Sequence, residues 1–381
     1  MKICVLTGKL GGYSAMRPML SLMEKDEDIE FILLVTDQHL YTKFGRSVSV
    51  IIEDGFTPLS IDIQQEDETA YSRSKAEAQV LVHFAKALDN IRPDLLILFG
   101  DRGESLSAAH AALNAGIPIA HLQGGDTTGG VDDRIRDAIT CMSSLHFVSC
   151  HSSACEIEDI RGIDNICVVG DFHIDPLMEW TSPPIIDIAE NLHLDYKRPW
   201  VLITQHSDTL SPSTSYQEMN CTLNAVREEL PDFEIVVTYP CSDVGYKGIM
   251  DAIEELSTPL KLKVFKALRP ESYIGVMNAS HLIIGNSSAG IIEAPYLETM
   301  SIDIGDRQRG RMRPSSVTHA DHDKSSIRDA IRHSLYKPCE FEKLYGDGTA
   351  GIQTIKEIKK WWEQRNLQQS TSQTVSIEGR M

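Results

Sequence analysis

The chain reads as an α/β protein of two Rossmann-like domains, each a parallel sheet covered by helices. Three observations point there. Short apolar runs of strand length alternate with helix-length patterns along most of the 381 residues, as in parallel sheets buried on both faces. The alternation pauses at residues 173–198 and then restarts. Most runs end on Gly, Asp, His, Asn or Ser, at the strand ends where open α/β sheets bind ligands.

Residues 2–7 form the first strand, followed by Gly8, Lys9, Gly11 and Gly12 and a helix from about 13 to 25. This strand–glycine turn–helix unit opens many nucleotide-binding domains, although the strict Gly-x-Gly-x-x-Gly spacing is missing. A second strand spans 29–36 and ends at Asp37. A long helix over 66–91 stops before Pro93. A strand over 95–99 breaks at Gly100-Asp101-Arg102-Gly103-Glu104, and a small-residue helix follows to about 115. The strand 117–122 runs into Gln123-Gly124-Gly125-Asp126, and Asp132-Asp133-Arg134-Ile135-Arg136 opens the next helix. Strands at 145–149 and 166–169, with a helix between, complete the first domain at about 172.

Residues 173–198 read as a connector, with one short helix and then Thr181-Ser182-Pro183-Pro184. The second domain, 173–349, has strands at 200–204, 233–238, 262–265, 282–284 and a last one at 300–304. Helices are expected at about 215–230, 245–257 and 270–278, with another opening at Ser288 and carrying Glu293. A helix over 350–366 with Trp361 and Trp362 is expected to pack back across both domains. Residues 367–381 read as a polar tail ending in an engineered protease-site remnant.

A net charge of −19 disfavours a nucleic-acid surface, which needs clustered positive charge. Local arginines can still hold an anionic small ligand. No apolar run approaches the ~20 residues of a membrane span, so no membrane partner and a cytoplasmic location are expected. None of the eight cysteines forms Cys-x-x-Cys. Cys150, His151 and Cys155 match no zinc spacing, so neither metal nor cofactor is expected.

The candidate site follows from the strand ends. Gly285-Asn286-Ser287-Ser288-Ala289-Gly290 offers backbone N–H groups and hydroxyls to a phosphate, with Glu293 placed for ribose hydroxyls. The competing reading makes Ser288 a plain helix cap. Arg307, Arg309, Arg311 and Arg313 either close over an anion or form a solvated loop. His206, directly after a buried strand, suits proton shuttling. Asp101 is the leading general-base candidate, and its alternative is an N-cap. Asp132 and Arg136, four apart, share a helix face.

Several blocks together resemble the UDP-N-acetylglucosamine 2-epimerase family, most closely its hydrolysing branch, over roughly residues 1–335. They are Thr7-Gly8 with Tyr13 and Arg17-Pro18, Gly100-Asp101-Arg102, and His121-x-x-Gly-Gly with Asp132-Asp133-x-Ile-Arg136. The 285–295 block and Gly305-Asp306-Arg307-Gln308 complete the set. The resemblance implies a glycosyltransferase-B-like fold with a UDP-sugar between the domains. The first domain would face the sugar and the second the UDP. It implies metal-independent elimination of UDP to a glycal, then rehydration to a 2-epimerised free sugar, and at least a homodimer. It assigns acid/base roles to Asp101 and Asp132, and help with UDP departure to His206. UDP binding falls to Ser287, Ser288, Gly290 and Glu293, and substrate orientation to Arg136. Gly8 and Lys9 join them from the first loop.

Three positions depart from the family pattern. Leu10 and Gly12 stand where an arginine and an aspartate are usual, which leaves Lys9 as the nearby cation. Gln123 stands where a catalytic glutamate is common, and Asp126 is the nearest carboxylate to cover for it. Competing readings are a non-hydrolysing UDP-sugar 2-epimerase, a transferase on the same fold, and a UDP-sugar-binding protein without turnover.

Overall fold

The computed structural model describes residues 1–378 apart from 64, 68, 162, 209 and 210. Its first sheet comprises β1 Lys2–Thr7, β2 Glu30–Val35, β3 Leu59–Ser60, β4 Leu95–Phe99, β5 Ile119–Leu122, β6 Leu145–Val148 and β7 Ile166–Val168. The helices between them are α1 Leu10–Glu24, α2 Val48–Glu53, α3 Ala70–Ile91, α4 Gly103–Asn114, α5 Asp132–Met142 and α6 His151–Arg161. All pairings are parallel, in the order β3-β2-β1-β4-β5-β6-β7. Alternate side chains leave opposite faces of a strand, and each face has its own core. Ile3, Val5, Leu95 and Ile97 pack under α1 and the last helix. Cys4, Leu6, Leu96 and Leu98 pack under α3 and α4.

Helices α7 Ile174–Glu179 and α8 Ile185–Leu192 lead to the second sheet. It is built from β8 Trp200–Thr204, β9 Glu234–Thr238, β10 Lys263–Phe265, β11 Ser280–Gly285, β12 Met300–Ile304 and β13 Val317–Ala320. Its helices are α9 Ser215–Glu229, α10 Tyr246–Ser257, α11 Pro270–Ala279, α12 Ala289–Ile292 and α13 Lys324–Tyr336. The order β10-β9-β8-β11-β12-β13 is again all parallel. Trp200 and Leu202 face one core, and Val201 and Ile203 the other.

The final helix, α14 Ala350–Glu378, returns to the first domain and packs on α1 and α7. Asp175 accepts from its first two backbone N–H groups at 3.0 and 2.7 Å. Ile355 and Ile358 join the first core.

Several elements differ from expectation. The connector carries a second helix, α8. The sheet does not end at β12, because β13 and α13 follow. Helix α14 runs past 366, so the expected tail is helical through Glu378, and 379–381 lie outside the described residues. The helix expected to carry Glu293 stops one residue before it. Pro295 explains this, since its ring cannot sit against the carbonyl four residues back in a continuing α-helix. A short 3₁₀ turn, Ala294–Leu297, takes over. Among the described residues no helix is long and apolar enough to cross a membrane.

Candidate active site

In both sheets the strand order reverses beside the first strand, at β1/β4 and at β8/β11. Such a switch point leaves a crevice at the strand ends. The two crevices face each other across one cavity of about 540 Å³. Gly8, Lys9, Asp101, Gln123, Asp126, Asp132 and Arg136 line its first-domain wall, and His206, Ser287, Ser288 and Glu293 the other. The predicted residues are thus assembled, with one exception. Gly290 packs beneath the loop, where an added Cβ would meet Ser301 Cβ at 3.3 Å. Its N–H already bonds the Ser287 carbonyl at 3.2 Å. Gly290 therefore permits close packing on β12 and offers the cavity no donor.

On the first wall, the fully buried Arg136 is the hub. It donates to the Asp101 carboxylate, to the Asp126 carbonyl and, at 2.6 Å, to Asp133. Although Asp132 shares its helix face, the partner of Arg136 on its own helix is Asp133, three residues back. Burial would raise the Asp101 carboxyl, but Arg136, with Lys9, Arg311 and Arg307, holds it below the usual carboxylate range. Asp132 behaves oppositely. Burial, then the Asp101 and Asp243 charges, push its carboxyl up to about 6 against Arg307 and Arg102.

Asp126 is saturated. It accepts from Ser149 and Ser153 at 2.8 Å each and from Arg311, across the cleft, at 2.6 Å. Burial raises its carboxyl, but Arg311 and Arg136 win and keep it ionised below the normal range. That makes Asp126 a clasp for Arg311. The expectation that it covers for Gln123 in proton transfer does not fit this geometry. Gln123 itself is buried, at a positive φ of 61°.

On the second wall, Ser288 occupies the N-cap position of α12 without making a side-chain cap bond, so its hydroxyl is left for a ligand. Helix α12 has four residues, so its dipole adds little and the donors themselves matter. Glu293 is driven up to about 7, chiefly by burial, against the lowering effect of His173. The His206 backbone and the Asn286 side chain exchange hydrogen bonds at 2.7 and 2.9 Å. The Cys241 N–H donates to His206 Nδ1 at 3.1 Å. Nδ1 is therefore an acceptor, and Nε2 carries the proton of the neutral ring.

The basic run resolves into two kinds. Arg307 and Arg311 line the cavity, Arg309 is exposed, and Arg313 pairs with Asp303 at 2.6 Å. Among the described residues Lys9 Nζ makes no ion pair. Its charge nevertheless bears on Asp101, Asp243, Cys241 and His173, so it stands among them.

Sequence reasoning missed a second layer. Arg102 donates to Asp37 at 2.7 Å and Ser242 at 2.9 Å and lies 3.3 Å from Asp243, joining the two domains. Arg73 and Arg102 both pair with buried Glu104 and hold it at about 2 despite burial. Asp37 follows a strand and Glu104 opens the helix after one, and both were visible as such; Arg73 reaches both from a distant segment, and Arg102, beside Glu104, reaches Asp37 only through the fold. His173 and Asp171, after β7, were also missed.

Two facing parallel sheets, with a Gly/Ser loop on one wall and clustered carboxylates on the other of one cleft, place the chain in the glycosyltransferase-B-like fold class. The family model for UDP-N-acetylglucosamine 2-epimerase matches residues 21–359. The chain belongs to that family. It is 29% identical over 361 residues to the hydrolysing UDP-N,N'-diacetylbacillosamine 2-epimerase of Legionella pneumophila, covering 94% of this chain and 95% of that one. It is 26% identical to a UDP-N-acetylglucosamine 2-epimerase of Neisseria meningitidis serogroup B, covering 91% and 90%. The crystal structure of the UDP-GlcNAc 2-epimerase from Neisseria meningitidis bound to UDP-GlcNAc superposes with a TM-score of 0.78 at 18% identity. That match covers 94% of this chain and all of the other, and shows the shared fold.

Proposed function

We propose that the protein is a hydrolysing 2-epimerase of a UDP-2-acetamido sugar, releasing UDP and the free 2-epimer. The sugar is N-acetylglucosamine or a 2,4-diacetamido-2,4,6-trideoxy relative, and the 29% identical hydrolysing relative supports the second choice. The observation that carries the reading is the division of the cavity. Ser288 and His206 Nε2–H line one wall with Arg307, and across it stands one carboxyl, Asp132, 4.0 Å from Arg307 and pushed up to about 6 by burial and by the Asp101 and Asp243 charges.

Asp132 is the base. Its raised value makes it a stronger proton acceptor than an ordinary aspartate while leaving it mostly ionised at pH 7. Asp101 orients Arg136 and adds its like charge to the burial that raises Asp132, so the base role expected for Asp101 passes to its neighbour. Removal of the carbon-2 proton forms the carbon-1–carbon-2 double bond as the anomeric carbon–oxygen bond breaks. The electron pair leaves on UDP, whose charge is met by the His206 proton, Lys9 and the Ser287–Ser288 loop. Water then adds at carbon-1, and carbon-2 takes a proton from the opposite face.

The test is UDP release from UDP-N-acetylglucosamine and from the diacetamido analogue, without acceptor. At least one should yield UDP and free reducing sugar in equal amounts. A UDP-linked epimer would instead identify a non-hydrolysing epimerase, and turnover only with an acceptor a transferase. Gln123 favours one further reading, a protein that binds UDP-sugar without turnover; it predicts binding of both compounds and no UDP.

A further inference from the structure

Inversion at carbon-2 needs proton carriers on both faces of the sugar. The charges around the cavity fall into two groups. Asp132 is governed by Asp101, Asp243, Arg307 and Arg102. A second group of mutually interacting charges is made of His173, Asp171 and Glu293, with Lys9 acting on both groups. Gln123 lines the same cavity; its neutral amide is neither an acid nor a base at working pH, and its nitrogen lies 3.4 Å from His173 Nδ1.

We propose that His173, oriented by Asp171, is the catalytic residue that returns the proton to carbon-2, the task Gln123 cannot perform. The inference rests on the epimerase reading above.

The geometry is that of an oriented imidazole. Asp171 Oδ1 accepts from the His173 backbone N–H at 2.8 Å and stands 2.8 Å from ring Nδ1. The carboxylate fixes the Nδ1–H tautomer and leaves Nε2 as the exchanging nitrogen. His206 shows the reverse arrangement, with Nδ1 accepting and Nε2 donating. The two histidines are thus set for different tasks, one to donate to a leaving oxygen and one to give and regain a proton.

The support beneath His173 is rigid. Asp171 is 1% exposed, and its N–H donates to the Tyr345 carbonyl at 2.8 Å. Gly170, at a φ of 94°, lies so close to Gly346 that an added Cβ would sit 3.2 Å from its Cα. Phe99 packs edge-on to the imidazole at 5.7 Å between ring centroids. His173 lines the cavity with Phe99, Gln123 and Glu293. The charged groups facing it are Asp171 and Glu293, which favour the imidazolium, and Lys9, which opposes it. Against burial, the carboxylates win and the ring stays above its ordinary value.

The step balances. In the glycal, the carbon-1–carbon-2 pair takes the Nε2 proton of the imidazolium to form the new carbon-2–hydrogen bond. The water oxygen bonds to carbon-1, and its surplus proton returns to His173. The proton that Asp132 removed earlier passes to solvent.

The test follows UDP, glycal and free sugar separately, in deuterated water, for wild type, His173→Gln and His173→Gln with Gln123→Glu. Calorimetric UDP binding within about threefold of wild type establishes a folded site, and His173→Asn repeats the test if His173→Gln does not fold. The expected result for His173→Gln is continued UDP release, accumulating glycal and at least ~100-fold slower formation of free sugar. Gln123→Glu in that background should recover sugar formation at least tenfold. A variant that forms carbon-2-deuterated epimer within twofold of the wild-type rate would overturn the assignment. So would loss of UDP release in parallel with sugar formation. If wild type itself releases no UDP, the epimerase reading fails and the His173 role with it, an outcome separate from the other two.

Discussion

Asp101 and Asp132 are both half-buried aspartates at one rim, and their surroundings drive them apart. Arg136 pins one as a permanent carboxylate, and that charge, with burial, lifts the other to about 6. Asp132→Asn should therefore lower turnover by roughly 10²–10⁴-fold and leave UDP affinity nearly unchanged in a calorimetric titration. In wild type the rate should rise with pH through about 6 as Asp132 ionises, and a residual activity of the variant should lack that limb. Ser288 makes a second prediction. Because it caps nothing, Ser288→Ala should leave the melting temperature within a degree or so. A lost hydrogen bond to a charged diphosphate should weaken UDP binding by about 1.5–3 kcal/mol. A destabilised protein with unchanged UDP affinity would restore the capping role. Asp132, Ser288 and His206 were legible because each directly follows or closely trails a buried strand. The proposed base could not be told from its neighbour, and Asp126 could not be recognised as saturated, because Arg136, Arg311, Ser149 and Ser153 reach them only through the tertiary fold. His173 was hidden in part for the same reason: Asp171 lies two residues before it, but Gln123 and the cavity reach it only once β5 and β7 lie in one sheet.

The strand–helix alternation was legible because continuous apolar runs bracketed by glycines survive in sequence wherever a strand is buried on both faces. β13 was not, since Val317–Ala320 exposes Thr318 and His319 at the sheet edge and carries little apolar signal. The phosphate-type loop depends on a glycine whose need is purely steric. Gly285 has a φ of 142°, and a Cβ there would lie 2.1 Å from the Thr204 carbonyl oxygen. Gly285→Ala should push β8 and β11 apart and cost about 2–4 kcal/mol of stability, read by denaturant unfolding. β6 makes a pH prediction. His146 is 1% exposed with both ring nitrogens unpartnered among the described residues, and burial holds it down to about 4. The folded state excludes a proton that the unfolded chain binds below about 6.5. Its contribution is therefore complete above 6.5 and is lost as pH falls towards 4, by up to ~3 kcal/mol. His146→Leu should flatten the acid limb of melting temperature against pH over that window; an unchanged limb would contradict the assignment.

At the scale of the whole molecule, the two domains meet through charge as well as through α14. Arg102 spans from Asp37 and Glu104 to Asp243, and Arg311 spans to Asp126. These pairs hold the walls of the cavity at a fixed separation, which a two-sided reaction requires. Arg311→Leu leaves the buried Asp126 without its cross-cleft cation. It should raise the radius of gyration of the unliganded protein in small-angle scattering, and UDP should restore the closed value. An unchanged radius would show that the remaining contacts suffice.

The most direct test is proton NMR of wild-type protein with its UDP-sugar in deuterated water. Breaking the anomeric bond and protonating carbon-2 from the opposite face must release UDP and give a free sugar with inverted carbon-2 bearing deuterium. Free sugar that retains its original carbon-2 configuration and proton would contradict the elimination, and an inverted sugar still joined to UDP would contradict the hydrolysis.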